Sequence, residues 1–385
     1  MRIIILGGDG YLGWPTAMHL ARSNHRVCIV DNYSRRKISK KNHSLPLFKN
    51  LNLFKRSLEF EKFFNKKINV RIFDCRNYNK LNNLVKSFKP DAIIHYAEQP
   101  SAPYSMAGIN EAKYTLQNNL DVTFNTIWSV IESCPGCHII KLGTMGEYGT
   151  PNIDIEEGWL NIKHKNRKDR FLFPRQASSL YHTTKILDTD LLWFYVRYYN
   201  LKVTDLMQGP VYGLETTESK KSLKLLPNFH YDDIFGTVVN RFLVQAVLGH
   251  PLTVYGNGDQ KRGYINLIDS LNCVDLALKN PPKEGMRILN QFTETFTVNQ
   301  LANKIQKAAK YININVKIKS VKNPRVEKEK HYYNPKYTGL KKMGLKPTLM
   351  TEKVLIEMLN IVIKYKNKIN HKIILPRVNW KKSSK

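Results

Sequence analysis

The strongest constraint on this chain lies in its first 31 residues. An unbroken apolar run, Ile3-Ile4-Ile5-Leu6, feeds a glycine-rich turn, Gly7-Gly8-Asp9-Gly10-Tyr11-Leu12-Gly13. A stretch with helical apolar spacing follows (Ala17, Leu20, Ala21), and then a second short apolar run, Arg26 to Val30, ending at Asp31. A buried strand leading through glycines at 7, 10 and 13 into a helix gives the backbone a tight turn, and it places the helix N-terminus where a pyrophosphate would sit. A carboxylate ending the next strand, here Asp31, binds a ribose 2′-hydroxyl and repels a 2′-phosphate, which favours NAD over NADP. Arg35 and Arg36 lie close enough in sequence to leave NADP open. Strand and helix patterns alternate up to about residue 210, with strands at 69–73, 92–95, 138–142 and 203–206 and long helices at 111–133 and 179–199. This alternation predicts an α/β doubly wound parallel sheet, a Rossmann fold. Two units are expected: residues 1–210 as the nucleotide-binding domain, and 211–385 as a smaller mixed substrate domain with some segments returning to the first.

Composition narrows the classes. The chain has 385 residues, 42% of them hydrophobic, which is enough for a sizeable core. No run approaches the ~20 apolar residues of a membrane span. No targeting leader is legible at the start. Five cysteines, an odd and sparse set, argue against a disulfide framework; Cys134-Pro135-Gly136-Cys137 has redox or zinc spacing but lacks a second pair, so no metal site is expected. With 61 Lys and Arg against 31 Asp and Glu, the formal charge is +30. The lysines are spread along the chain rather than gathered in one tract, as an AT-rich coding bias would produce, and this argues against nucleic acid as a partner.

Tyr181 and Lys185 stand four apart on a predicted helix and so share one face. An ammonium beside a phenol favours the phenolate, which can take a proton from a sugar hydroxyl. Thr144 ends the fifth strand, where ligands meet such sheets, and can hydrogen-bond the same substrate oxygen. Glu147 and His182 are the further acid/base candidates. Asp74, at the end of the third strand, is expected near the adenine.

Together the glycine turn, Asp31, Thr144 and Tyr181-x-x-x-Lys185 resemble the extended short-chain dehydrogenase/reductase family. Longer strings resemble one branch of it, the UDP-sulfoquinovose synthases. These are Gly7 to Tyr11, Ser101 to Met106, Lys141 to Gly158, Asn323 to Glu327, His331 to Asn334 and the terminal Pro376 to Lys382. The resemblance implies NAD as a recycled cofactor, UDP-glucose and sulfite as substrates, and a 4-keto-5,6-ene intermediate to which sulfite adds. Tyr181, Thr144 and Lys185 would act at the 4-hydroxyl, and Glu147 or His182 at C5 and the leaving 6-hydroxyl. Cofactor contacts carried over are Gly7, Gly10, Tyr11, Leu12, Gly13, Asp31, Asn32, Tyr33, Ser34, Asp74, Asn118, Tyr181, Lys185 and Val211. UDP-sugar contacts are Thr144, Gln208, Val238, Val239, Asn240, Arg241, Thr253, Val254, Tyr255, Arg262, Arg325, Val326 and Glu327. A homodimer paired through the two long helices and a sulfite-delivering protein are further expectations from the resemblance, and a plastid stroma or cyanobacterial cytoplasm is expected from the missing leader and the coding bias. Two departures stand out. Pro100 replaces an arginine expected to contact substrate, and Ile268 replaces an arginine expected before Asp269. The same fold could instead serve a UDP-sugar 4-epimerase or 4,6-dehydratase. The charge suggests a third reading, an RNA-binding protein, against which the intact Tyr181, Lys185, Thr144 and glycines speak.

Overall fold

The computed structural model describes residues 1–48, 50–325 and 331–378. In chain order the first part contains β1 (Arg2–Leu6), α1 (Gly13–Arg22), β2 (Arg26–Asp31), α2 (Ser34–Lys41), α3 (Leu53–Phe64), β3 (Ile68–Ile72), α4 (Tyr78–Phe88), β4 (Ala92–His95), α5 (Ala102–Ser105), α6 (Ile109–Ser133), β5 (His138–Thr144), β6 (Trp159–His164), β7 (Arg167–Leu172), α7 (Leu180–Tyr199) and β8 (Lys202–Gln208). The second part contains β9 (Val211–Tyr212), α8 (Val238–Val247), β10 (Leu252–Tyr255), β11 (Lys261–Asn266), α9 (Leu267–Lys279), β12 (Met286–Gln291), β13 (Glu294–Thr297), α10 (Val298–Lys310), β14 (Ile318–Val321), α11 (Gly339–Lys342) and α12 (Glu352–Lys364).

Seven strands form one parallel sheet in the order β12-β8-β5-β4-β1-β2-β3. A strand covered on both faces reads as a continuous apolar run, and Ile3 to Leu6 are fully buried for this reason. Ile3, Ile5, Val27 and Ile29 pack with Trp14, Leu20 and Phe60 on one face. Ile4, Leu6, Ile93 and Ile139 pack with Val122, Ile127 and Leu192 on the other. The strand order reverses beside β1, between β2 and β4, and this opens a crevice at their carboxyl ends. The sheet also takes its last strand, β12, from beyond residue 210. A third core, built around α8, α10 and α12, belongs to the second part and includes Leu47 and Phe48 from the first.

Several local elements differ from the sequence expectation. The span 35–66 forms two helices, and Asn52 caps the second through the amide of Lys55. The helix expected from Glu294 begins at Val298, because Thr297 and Gln300 close a reciprocal cap there and leave 294–297 to a strand. Helix α8 gave no sequence signal. It is only ten residues long and buried from Val239 through Val247, polar Asn240, Arg241 and Gln245 included, so no solvated face marks it. The hairpin β6–β7 is exposed and basic, and it lacks an apolar alternation. Cys134 and Cys137 are free thiols in the turn between α6 and β5.

Ile288 of β12 is nearly inaccessible, and its side chain would meet a Cβ at Gly158, in the loop after β5. Ile288→Ala should therefore cost about 2–5 kcal/mol, seen as a lower urea midpoint, if 286–291 is integral to the sheet.

Candidate active site

The crevice beside β1 is an open cleft of about 590 Å³. Its wall includes Gly7, Gly10, Asp31, Asn32, Ser34, Arg35, Asp74, Glu98, Pro100 and Asn118. Gly7 has φ +85°, and a Cβ there would fall 2.7 Å from the Tyr96 backbone. At Gly13 a Cβ would lie 2.0 Å from the Gly7 carbonyl, so the turn closes only on glycine. Helix α1 starts with no side-chain cap, leaving its first amides turned toward the cleft end of the helix. Burial raises the Asp31 carboxyl to about 6, aided by nearby Asp9; the amides of Asp9 and Tyr33 donate to it at 2.8 and 2.6 Å. Arg36 is committed elsewhere. Its Nε and Nη2 clamp Asp9 at 2.5 and 2.6 Å, and it also donates to the carbonyls of Asn50 and Leu51. The buried Nε of Arg35, by contrast, has no hydrogen-bond partner. An adenine dinucleotide fits this set: Asp31 for a ribose diol, and the α1 N-terminus and the Arg35 Nε for the pyrophosphate, which the glycine turn lets approach closely.

Of the other cofactor positions named from sequence, Asp74 lines the cleft and pairs with Arg76 at 2.8 Å, while Asn77 caps α4. Tyr11 turns its hydroxyl to the Gly213 carbonyl at 2.6 Å. Leu12 packs against the core of the first unit, and Val211 is part of it. Tyr33, at φ +57°, starts α2 and accepts from the Leu53 amide. These four serve the turn and its packing rather than the cleft wall.

The catalytic candidates meet at the ends of β5 and α7. Ser179 caps α7 through the His182 amide, and the Tyr181 amide donates to Ser105 Oγ. Thr144 is the extended residue before a single 3₁₀ turn. Its Oγ accepts from the Gly146 amide, and its own amide donates to Glu147 Oε1 at 3.1 Å. Glu147 does not face substrate space. It is fully buried, and its carboxylate contacts Lys141 Nζ at 3.3 Å, Thr189 Oγ1 at 3.2 Å and Arg175 Nε at 3.9 Å. The carboxylate named from sequence as an acid/base candidate thus also braces the turn beneath Thr144. Lys141 itself also reaches Asp205 at 3.2 Å and Thr189 at 2.6 Å. Burial lowers the His182 ring to about 3, with Arg262 and Arg325 reinforcing the shift, so the ring is neutral at physiological pH. Its Nδ1 lies 3.0 Å from Ser179 Oγ. Burial also raises the Tyr181 phenol, and the Glu98 carboxylate adds to this. Lys185 donates to Glu98 Oε1 at 2.5 Å and remains cationic, because Glu98 and Asp188 outweigh its burial.

The electrostatic influence of Arg262 and Arg325 on His182 brings the second unit to the catalytic helix. Arg262 Nη1 lies 2.8 Å from His331 Nε2. Arg241 stacks on Tyr255 at 4.0 Å and donates to the Thr253 carbonyl; its Nε, the Asn240 Oδ1 and the Tyr255 hydroxyl are buried without hydrogen-bond partners. Unsatisfied buried groups gathered in one place suit an incoming polar ligand. Not every named substrate position faces it. Val239 and Val254 lie in the core of the second unit, and Thr253 is held by Gln245 through its hydroxyl at 2.7 Å and its amide at 3.0 Å. Gln208 is held by Ser270 and Gln291. Val238 is partly exposed at the start of α8. Val326 and Glu327 lie outside the described residues. Sequence reasoning gave no role to Glu98, Asp188, Lys141 or Asp205, and it read Arg35 only as leaving NADP open. A lysine inside His138-Ile-Ile-Lys-Leu and an aspartate inside Lys202-Val-Thr-Asp-Leu were the available signals, since a charge in the middle of a buried strand needs a partner.

Pro100 lies on the cleft wall, so the arginine expected there would have projected into it. Ile268 instead lines a surface pocket with His19, Arg22 and Glu218, remote from the cleft residues.

Lys141→Met would strand Glu147 and Asp205 without their shared cation. A loss of about 3–5 kcal/mol in urea unfolding is expected, against little change for the exposed Lys336→Met.

A profile described as the NAD dependent epimerase/dehydratase family matches residues 3–290. The chain is 46% identical to the chloroplastic UDP-sulfoquinovose synthase of Spinacia oleracea over 382 residues, covering 99% of this chain and 79% of that protein. It is 44% identical to the UDP-sulfoquinovose synthase of Sulfolobus acidocaldarius over 386 residues, covering 99% and 98%. Among solved structures, a UDP-glucose 4-epimerase from Bifidobacterium longum in complex with NAD+ and UDP superposes with a TM-score of 0.71 at 19% identity, covering 96% of this chain and all of that one, a likeness of fold alone. The chain belongs to the NAD-dependent epimerase/dehydratase family and, within it, to the UDP-sulfoquinovose synthases.

Proposed function

We propose that this enzyme converts UDP-glucose and sulfite to UDP-sulfoquinovose. The observation that carries the reading is the near-complete match to two UDP-sulfoquinovose synthases, one from a plant and one from an archaeon. The geometry supports it. NAD, when bound, supplies a hydride acceptor and later a donor for C4 of the sugar. The chain's residues handle protons and charge. Tyr181 takes the proton of the 4-hydroxyl, Lys185 favours the phenolate, and the Thr144 hydroxyl donates to the same oxygen. Once C4 is a carbonyl the C5 hydrogen is acidic, and the neutral imidazole of His182 is the base at hand. Loss of the 6-hydroxyl as water leaves an enone to which sulfite adds at C6. Arg241, Arg262 and Arg325 suit the UDP phosphates, because a planar guanidinium pairs with two phosphate oxygens at once.

The test is direct. Purified protein given UDP-glucose with sulfite should yield a nucleotide sugar with sulfonate in place of hydroxyl, read by mass spectrometry, and nothing comparable without sulfite. A 4-epimer or a dehydrated sugar formed regardless of sulfite would point to an epimerase or dehydratase instead.

The same reading includes a homodimer through α6 and α7. Leu116 and Phe124 on α6 and Leu187, Phe194 and Tyr198 on α7 are exposed. Apolar side chains in such a row favour burial against a second copy. Phe124→Glu with Phe194→Glu should convert a dimer to a monomer in sedimentation, whereas an unchanged mass would remove this face from the interface.

A further inference from the structure

Beneath Lys185 lies a group of buried charges that the reaction as described does not use. Glu98, from the loop after β4, accepts from Lys185 through Oε1 at 2.5 Å, and its Oε2 has no hydrogen-bond partner. Asp188, one turn beyond Lys185 on α7, is 0% exposed, its carboxylate is 4.0 Å from Lys185 Nζ, and neither oxygen makes a hydrogen bond that satisfies it. His95 of β4 touches Glu98 Oε1 at 3.5 Å and Thr123 of α6 at 3.0 Å. Burial holds the His95 ring neutral, with a pKa of about 4. The other cation nearby, Lys141, is taken up by Glu147 and Asp205. Two carboxylates, Glu98 and Asp188, thus share one ammonium. A fully buried carboxylate with one cation at 4.0 Å and a single nearby hydroxyl is costly to keep ionised, so the pair is placed to hold a proton on Asp188. Burial and the neighbouring Glu98 push the Asp188 pKa well up, against the pull of Lys185, Lys141 and the Thr123 hydroxyl.

We propose that Glu98 and Asp188 form a proton-holding pair for the C4 chemistry, exchanging a proton with Tyr181 across Lys185. The inference rests on the function proposed above. In the forward step the Tyr181 O–H bond breaks and its proton passes by way of the Lys185 ammonium to the carboxylate pair. Lys185 keeps its charge and turns from carboxylate to phenolate. The phenolate then takes the proton from the sugar 4-hydroxyl, so the tyrosine ends protonated and the pair holds one proton more. When the C4 oxygen is reprotonated, each transfer reverses. The total charge of the site does not change when tyrosine ionises, which removes the cost of a lone buried phenolate. Since the proton lost at O4 is the one regained, an internal store avoids exchange with solvent. Asp188 touches neither substrate nor cleft wall and acts as a positioning residue through Glu98 and Lys185.

The test compares wild type with Asp188→Asn and Glu98→Gln in two ways. Infrared difference spectra of the protein without substrate should show the carbonyl stretch of a protonated carboxyl in wild type and its loss in each variant, because one carboxylate beside one lysine ionises. In turnover, Asp188→Asn should lower kcat at least about tenfold with the KM for UDP-glucose within about twofold. Its kcat should rise with pH where that of wild type is flat, since the tyrosine proton must then leave to water. Glu98→Gln keeps the question open to test should Asp188→Asn not fold. Loss of an ionised-carboxylate band in place of the protonated one, or a kcat and pH profile equal to wild type in Asp188→Asn, would overturn the proposal. Wild-type protein that makes no sulfonated product would overturn the function reading instead, and leave the infrared result to decide the pair.

Discussion

The buried ammonium of Lys141 ties the catalytic end of the molecule together. It sits in the middle of β5, fully buried, and donates to Glu147, to Asp205 of β8, and to Thr189 and the Lys185 carbonyl of α7. One cation thus fixes the spacing of two strands and a helix. Glu147 then returns a hydrogen bond to the Thr144 amide, and the 3₁₀ turn that presents Thr144 closes on it. Isolated, such a charge would cost several kcal/mol; paired on three sides, it converts that cost into a unique register for Thr144, Tyr181 and Lys185. The string after β5 therefore has a packing explanation as well as a chemical one. His182 Nε2 lies where a Cβ on Gly146 would be, 2.4 Å away, so the glycine is needed for the imidazole to stand beside the turn.

The first unit was legible because parallel strands buried on both faces leave apolar runs, and because a glycine turn at the end of β1 has few structural uses. Gly7, Gly10, Asp31, Asn32, Ser34, Asp74 and Asn118, all named from sequence, line one cleft. Less legible was anything whose signal is a pairing at long range. Glu98 and Lys185 are 87 residues apart, and Lys141 and Asp205 are 64 apart, so neither pair leaves a local period. Glu147 looked reactive because a carboxylate beside a catalytic threonine suggests chemistry; only the three-dimensional count of its partners shows that its oxygens are occupied. In the second unit, α8 escaped because it is short and its polar residues, Asn240, Arg241 and Gln245, are buried along with its apolar ones, so no solvated face sets it off. The runs Val238 to Arg241 and Thr253 to Tyr255 alternate between core and ligand space, so a carried-over stretch contains residues of both kinds.

The departures at Pro100 and Ile268 have unequal weight. Ile268 stands on the outer face of α9, by a surface pocket, and the lost charge there leaves the cleft unaltered. Pro100 is on the cleft wall, between Gln99 and Ser101, and that loop is firmly held: Asn119 accepts from the Gln99 amide at 2.8 Å, and Gln99 braces both Ser101 and Thr115. Asn119 also donates to Thr184 of α7 at 2.9 Å, so the loop and the catalytic helix move as one. Proline is compatible with such a fixed loop, since it demands no backbone donor. What the loop lacks is a cation. Arg262 and Arg325, both of the second unit, add to burial in holding the His182 ring below its usual range. The positive charge that acts on α7 therefore comes from the second unit, whereas an arginine at position 100 would have offered its charge from the cleft wall of the first.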